Sequence, residues 1–268
     1  MRAALMRSVH RRFKLSRHSR ACRVTAGLLV LAAGATAQAA ELQVLSAGAI
    51  EPGLKAATAA FEKETGHSVK ITFNTAPALR KRMEGSANVD VVIAPPTLIG
   101  EFATAGKVDG STRGNVGRVG MGVAVRDGAP VPDISTSDAL KKSVTEADSI
   151  VFNKASTGLY FEELLKKWGL YAQVEGKTSR YPDGAAVMEH VMKGKGREIG
   201  FGAMTEILLY QGKGLTLVGP VPADVQNYTS YTAAPLTAST QPALAKQFVG
   251  FLAGPAGKPL FNAAGVVE

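Results

Sequence analysis

Two short stretches carry the residue types that hold an anion. Ser46-Ala47-Gly48-Ala49 and Asn74-Thr75-Ala76 combine small side chains with hydroxyl or amide donors. Each follows a strand-like run, residues 42–45 (LQVL) and 69–73 (VKITF). Each precedes a helix-like run, residues 50–64 and 77–84. Such a loop aims backbone N–H groups and the positive end of a helix at one spot, where negative charge is stabilised. Ser and Thr ahead of a helix most often serve as caps. Ser46 and Thr75 are therefore read equally as ligand donors and as caps, and Asn74 as a donor or as a support for its loop.

Catalytic chemistry finds less footing. Beyond residue 39 the chain has only His67 and His190, and no cysteine. No serine sits in a G-x-S-x-G elbow, no His pair has metal spacing, and no glycine run forms a P-loop or a dinucleotide fingerprint. The expectation is a protein without catalytic residues, metal or cofactor. An exported hydrolase is the weaker alternative.

The basic charge of the chain is a local matter. Lys and Arg total 31 against 22 Asp and Glu, for a net +9. Eight of the basic residues, Arg2 to Arg23, fall ahead of residue 24, and no acidic residue accompanies them. An apolar run over 24–35 and Ala37-Gln38-Ala39 follow, the pattern of a cleavable signal peptide over 1–39. The run is shorter than the roughly 20 residues of a membrane span. Without this segment the balance is 23 basic to 22 acidic residues, so the charge gives no reason to expect nucleic acid as a partner. Sec and twin-arginine export both stay open. Cys22 lies ahead of the apolar run, so no disulfide is expected.

The rest alternates short apolar runs with helical stretches, an α/β pattern with largely parallel sheets. Further strands are read at 89–94, 119–125, 149–152, 178–181, 199–203, 215–218 and 228–234. Further helices are read at 97–105, 158–168, 185–193, 205–210 and 241–253. A helix through Lys142 would be capped by Ser135 or Ser137, and the helix at 185 by Asp183. Arg80, Lys81 and Arg82 read as a solvated face, although an Arg80 turned inward would suit a carboxylate ligand. Trp168 and Tyr171 read as core. The Gly-rich strand near Met121-Gly122 and the loop over 219–226 are candidate crossings between two lobes.

The segments 45–54 (LSAGAIEPGL), 61–66 (FEKETG), 69–82 (VKITFNTAPALRKR), 89–94 (VDVVIA), 156–164 (STGLYFEEL) and 199–206 (IGFGAMTE) together resemble the periplasmic molybdate-binding family. That family lies within the type II solute-binding proteins of ABC importers. The resemblance implies a two-lobed periplasmic-binding-protein type II fold, each lobe a mixed, mostly parallel sheet flanked by helices. Lobe 1 would be 40–121 plus 225–268, and lobe 2 would be 122–224. It also implies a monomeric periplasmic protein that binds a small anionic solute between the lobes and meets an inner-membrane ABC permease. Carried over position by position, the ligand set is Ser46, Gly48 and Ala49 in the first loop and Asn74, Thr75 and Ala76 in the second. From the far lobe come Ser156, Thr157 and Gly158, then Ala186, then Ala203. Alanine at 49 and 203 departs from the family, which places hydroxyls there. The ligand is thus expected to be a molybdate- or tungstate-like oxyanion, with another small anion such as a carboxylate as the alternative. A sensory or accessory binding protein on the same fold also stays open.

Overall fold

The computed structural model describes residues 39–85 and 88–268. Residues 1–38, which hold most of the signal-peptide reading and Cys22, lie outside the described residues. No described helix is long and apolar enough to cross a membrane.

The first third alternates strand and helix. β1 (Glu41–Ala47), α1 (Glu51–Thr65), β2 (Ser68–Asn74), α2 (Ala76–Glu84), β3 (Val91–Ala94) and α3 (Pro96–Thr104) follow one another. A 3-10 turn, Gly48–Ile50, leads into α1. α1 stops at Gly66, whose φ of 73° is the left-handed cap that glycine adopts without strain. β1 pairs in parallel with β2 and β3. All four residues of β3 are buried, the continuous apolar run of a strand covered on both faces.

The long strand β4 (Gly114–Arg126) then runs across the molecule. Its residues Gly114–Gly120 pair with β9 (Tyr228–Pro235), and from Met121 onward it pairs with β7 (Glu198–Ala203) and from Gly122 with β8 (Leu215–Pro220). A register shift falls between Asn115 and Gly117. Gly117 takes φ 135°, and a Cβ there would press within 2.9 Å of the Val267 carbonyl oxygen. Beyond β4 come α4 (Ser137–Glu146), β5 (Ser149–Asn153), α5 (Ser156–Lys167), α6 (Tyr171–Val174), β6 (Thr178–Tyr181), α7 (Gly184–Lys193) and α8 (Met204–Leu208). After β9 the chain ends in α9 (Pro242–Ala253) and α10 (Lys258–Ala263).

The strand order is β2-β1-β3-β9-β4-β7-β5-β6, with β8 on β4. The expected mixed α/β architecture is what the chain adopts. Parallel pairing holds at the two outer regions, where β5 pairs in parallel with β6 and β7. The centre is antiparallel, because β4 and β9 return the chain across the sheet.

Two large sets of apolar side chains pack on this frame. One joins β1, β3, α1, α3 and α9, with Phe61 edge-on to Phe248 at 4.9 Å between ring centroids. The other joins β5, α4 and α5, with Phe161 stacked on Phe201 at 3.7 Å. Val116 and Val119 of β4 belong to the first set, Met121 and Val123 to the second. Trp168 and Tyr171 border the second set, as expected. The cap of α4 is Thr136 rather than Ser135 or Ser137; its hydroxyl accepts from the Ala139 amide at 3.1 Å. Helix α10 was not expected, since the helix over 241–253 was the last one read from the sequence. Its Phe261 lies against Gly53, where a Cβ would come within 2.6 Å of the ring.

Candidate functional site

The parallel strands end on the same side of the sheet as their helices begin. Ligands gather outside such strand ends in α/β sheets. Here the ends of β1, β2, β5 and β6, with the helix starts that follow, surround one cavity of about 410 Å³. The β1–α1 junction contributes Ala47, Gly48, Ala49 and Glu51. The β2–α2 junction contributes Phe73, Asn74, Thr75, Ala76 and Ala78. Opposite them stand Asn153, Ala155, Ser156 and Thr157 ahead of and within α5, and Pro182 to Ala185 at the start of α7. The first amides of a helix have no partner inside it, so four helix starts bring donors to one space.

Seven of the eleven residues read from the sequence line this cavity: Gly48, Ala49, Asn74, Thr75, Ala76, Ser156 and Thr157. Thr75 stands at the N-cap of α2 yet makes no side-chain capping bond. The other four residues do not present a donor to the cavity. Ser46 is fully buried, and its hydroxyl donates to the Ala47 carbonyl at 3.1 Å. The pleat of β1 sends Ser46 to one face and Ala47 to the other. The amide of Gly158 donates to Asn153 Oδ1 at 3.1 Å. A Cβ at 158 would overlap the Asn153 carbonyl, so glycine here serves close packing of α5 on β5. The amide of Ala186 donates to Asp183 Oδ1 at 2.9 Å, which confirms Asp183 as the cap of α7. Gly184 and Ala185 reach the cavity in place of Ala186. Ala203 is buried in the first apolar set. Arg80 pairs with Glu101 at 2.7 Å on the surface.

Glu206 lines the cavity from α8 and was not foreseen. It is the third residue after Ala203, the N-cap of α8. A glutamate at that position reaches back to the N-cap amide, as in a capping box. Burial pushes its carboxyl up to about 7; the Ala203 amide pulls it down, and the charges of Asp183 and Glu51 add to the rise. Burial also raises Tyr231, with the Glu206 charge adding to it. Burial raises Tyr210 first, followed by the charge of Glu189 and those of the cavity carboxylates. The Thr205 hydroxyl donates to the Ala49 carbonyl, tying α8 to the first loop.

The sequence pattern of the family described as "Bacterial extracellular solute-binding protein" matches residues 42–267. The chain belongs to that family. Among relatives of this solute-binding protein, a Pseudomonas protein called aconitate isomerase is 29% identical over 220 residues, 79% of this chain and 82% of its own length. The molybdate-binding protein of Azotobacter vinelandii is also 29% identical, over 248 residues, 90% of this chain and 93% of its own. The solved periplasmic molybdate-binding protein of Azotobacter vinelandii superposes with a TM-score of 0.72 at 19% identity, covering 85% of this chain and 99% of that one. At that identity the superposition speaks for the fold.

As a solute-binding protein the chain has a distinctive lining. Among the described residues around the cavity there is no Lys, Arg or His, while Glu51, Asp183 and Glu206 supply carboxyl groups. Part of the wall is apolar: Phe73, Pro95, Pro182 and Leu209, with the rings of Tyr210 and Tyr231. Among the described residues no cluster of His, Cys, Asp or Glu is arranged to hold a metal ion. A tyrosine thus reaches the cavity from β9, although position 203, where the resemblance implies a hydroxyl, is alanine. The sequence offered no local signal for Tyr231, which sits in an apolar strand far along the chain.

Proposed function

We propose that this solute-binding protein captures a small organic anion bearing carboxylate groups and delivers it to an inner-membrane ABC permease. The observation that carries this reading is the convergence of four helix starts on a cavity whose wall is partly apolar. The amides suit the anionic groups. Phe73, Pro95, Leu209 and the tyrosine rings suit a carbon skeleton, as in most organic-ligand pockets. A compact tetrahedral oxyanion would leave that wall unused, and it would lack the hydroxyls at 49 and 203. The relatives' names point both ways, one to molybdate and one to a tricarboxylate.

In this reading residues 1–39 are the signal peptide and the protein works as a periplasmic monomer. Segments 40–121 plus 225–268 form one lobe and 122–224 the other. The change of β4 partners at Gly120-Met121 supports a hinge there. Closure would exclude water and strengthen each amide contact. Thermal unfolding in the presence of molybdate, tungstate, sulfate and a set of di- and tricarboxylates tests the reading. A ligand at a hundred times its Kd adds about 2.7 kcal/mol. Stabilisation by carboxylates is expected. A response to molybdate and tungstate alone would replace the ligand class, and no response at all would sink the reading.

A catalytic reading is favoured by Glu206 and by the relative called an isomerase. The carboxylate would take a proton from a carbon beside a double bond and return it to the far end of the allyl unit, with no oxidation or reduction. Proton NMR of cis- and trans-aconitate incubated with the protein checks it. Interconversion that Glu206→Gln abolishes would establish this reading; unchanged substrate would remove it.

A further inference from the structure

The carboxyl of Glu206 stands where the two sides of the cavity meet. A Cβ on Gly48, from the first loop, would lie 3.6 Å from Oε1. A Cβ on Gly184, from the start of α7, would collide with Oε2. Both neighbours are glycines, so no side chain shields the carboxyl from either loop. An anion drawn to the amides of these loops must come to rest beside it.

Among the described residues that line the cavity, none is a cation that could pair with these two negative groups. The β1–α1 junction presents Glu51, whose carboxylate pairs with Lys55 at 2.5 Å, so that the one nearby ammonium, which also lies over the Phe73 ring, is already engaged. The α7 start presents Asp183, and Glu189 acts from farther along α7. β9 presents Tyr231, and the turn after α8 presents Tyr210. A second negative charge in the same cavity disfavours the ionised form of the first, and the balance shifts toward one group taking up a proton. A fully ionised carboxylate ligand is the stronger acid, so the proton goes to the protein.

We infer that Glu206 becomes protonated when the solute binds, so that binding takes up one proton and the neutral carboxyl donates a hydrogen bond that selects the ligand. The inference rests on the proposed capture of a small carboxylate in this cavity. The burial that already lifts this carboxyl to about 7 works in the same direction. Below that pH the proton is in place before binding, and affinity is flat. Above it, each pH unit weakens binding tenfold until the carboxyl of the complex ionises too.

The test is calorimetry with trans-aconitate, fully ionised at pH 7 to 9, in buffers of different ionisation heat. Uptake near one proton per ligand at pH 8 is expected, with Kd rising about tenfold per unit from pH 7 to 9. Glu206→Gln keeps a donor that cannot ionise; its affinity should be independent of pH and its proton uptake zero. Gly184→Ala, which displaces the carboxyl, should weaken binding at every pH. Tight binding by the wild-type chain with no proton uptake overturns the inference and leaves solute capture standing. A pH slope unchanged in Glu206→Gln overturns it as well. Failure of every carboxylate to bind would instead remove the ligand class, and the inference with it.

Discussion

The helix starts on the two sides of the cavity are finished differently. On the β1 and β2 side, neither α1 nor α2 has a side chain bonded to its first amides. On the other side, Asn153 accepts from Ala155 and Gly158 ahead of α5, and Asp183 accepts from Ala186 at α7. One side leaves its first amides without a side-chain partner, open to a guest in the proposed reading. The other spends part of them on fixing the loop, although Ser156, Thr157, Gly184 and Ala185 still line the cavity. If the proposed function holds, a helix start here serves either stability or recognition, and the side-chain cap tells which.

The harshest way to break the contrast is Gly158→Ala. The added methyl would overlap the Asn153 carbonyl, so α5 must leave β5; circular dichroism should show loss of cooperative folding. Next comes Glu206, whose carboxyl sits at about 7 against an ordinary value of 4.5. The folded state then holds a proton that the unfolded chain releases near 4.5. Stability from this group is highest below that value, falls as pH rises to about 7, and is level above. The span is on the order of 3 kcal/mol. Urea midpoints at pH 5 and 8 should differ by correspondingly less in Glu206→Gln. Asn153→Ala strands two amides and should cost about 1–3 kcal/mol. Asp183→Ala loses one cap and should cost about 1 kcal/mol in the same urea titration. Thr75→Ala sharpens the comparison from the other side. Its hydroxyl makes no capping bond, so stability should move by less than about 0.5 kcal/mol. Affinity for a carboxylate solute should drop about tenfold, the worth of one hydrogen bond to a charged group.

Much of this frame was legible because its signals are local. Alternating apolar runs marked β1 and β2, and the small polar residues after them marked the loops that line the cavity. The first failure was one of phase. Ser46 and Ala47 are neighbours of similar size, and only the pleat of a strand packed on both sides sends the serine inward. The second was competition. Gly158 and Ala186 were placed near the right loops, yet Asn153 and Asp183 had already taken their amides. The third was distance along the chain. Glu206 and Tyr231 reach the cavity from a five-residue helix and a late strand, and no spacing rule connects them to Thr75. Antiparallel pairing at the centre has the same origin, since β4 and β9 meet across more than a hundred residues.

The lack of a cationic side chain among the described residues lining the cavity also bears on speed. Among the described residues that line the cavity none is positive, Lys55 beside it is paired with Glu51, and charge beyond residue 39 is nearly balanced, so the long-range pull on an approaching anion should be small. Its association rate should therefore sit near the unsteered range of about 10⁵–10⁷ M⁻¹s⁻¹ and respond only weakly to ionic strength. In the proposed reading, selection then happens after encounter, in how long each guest stays.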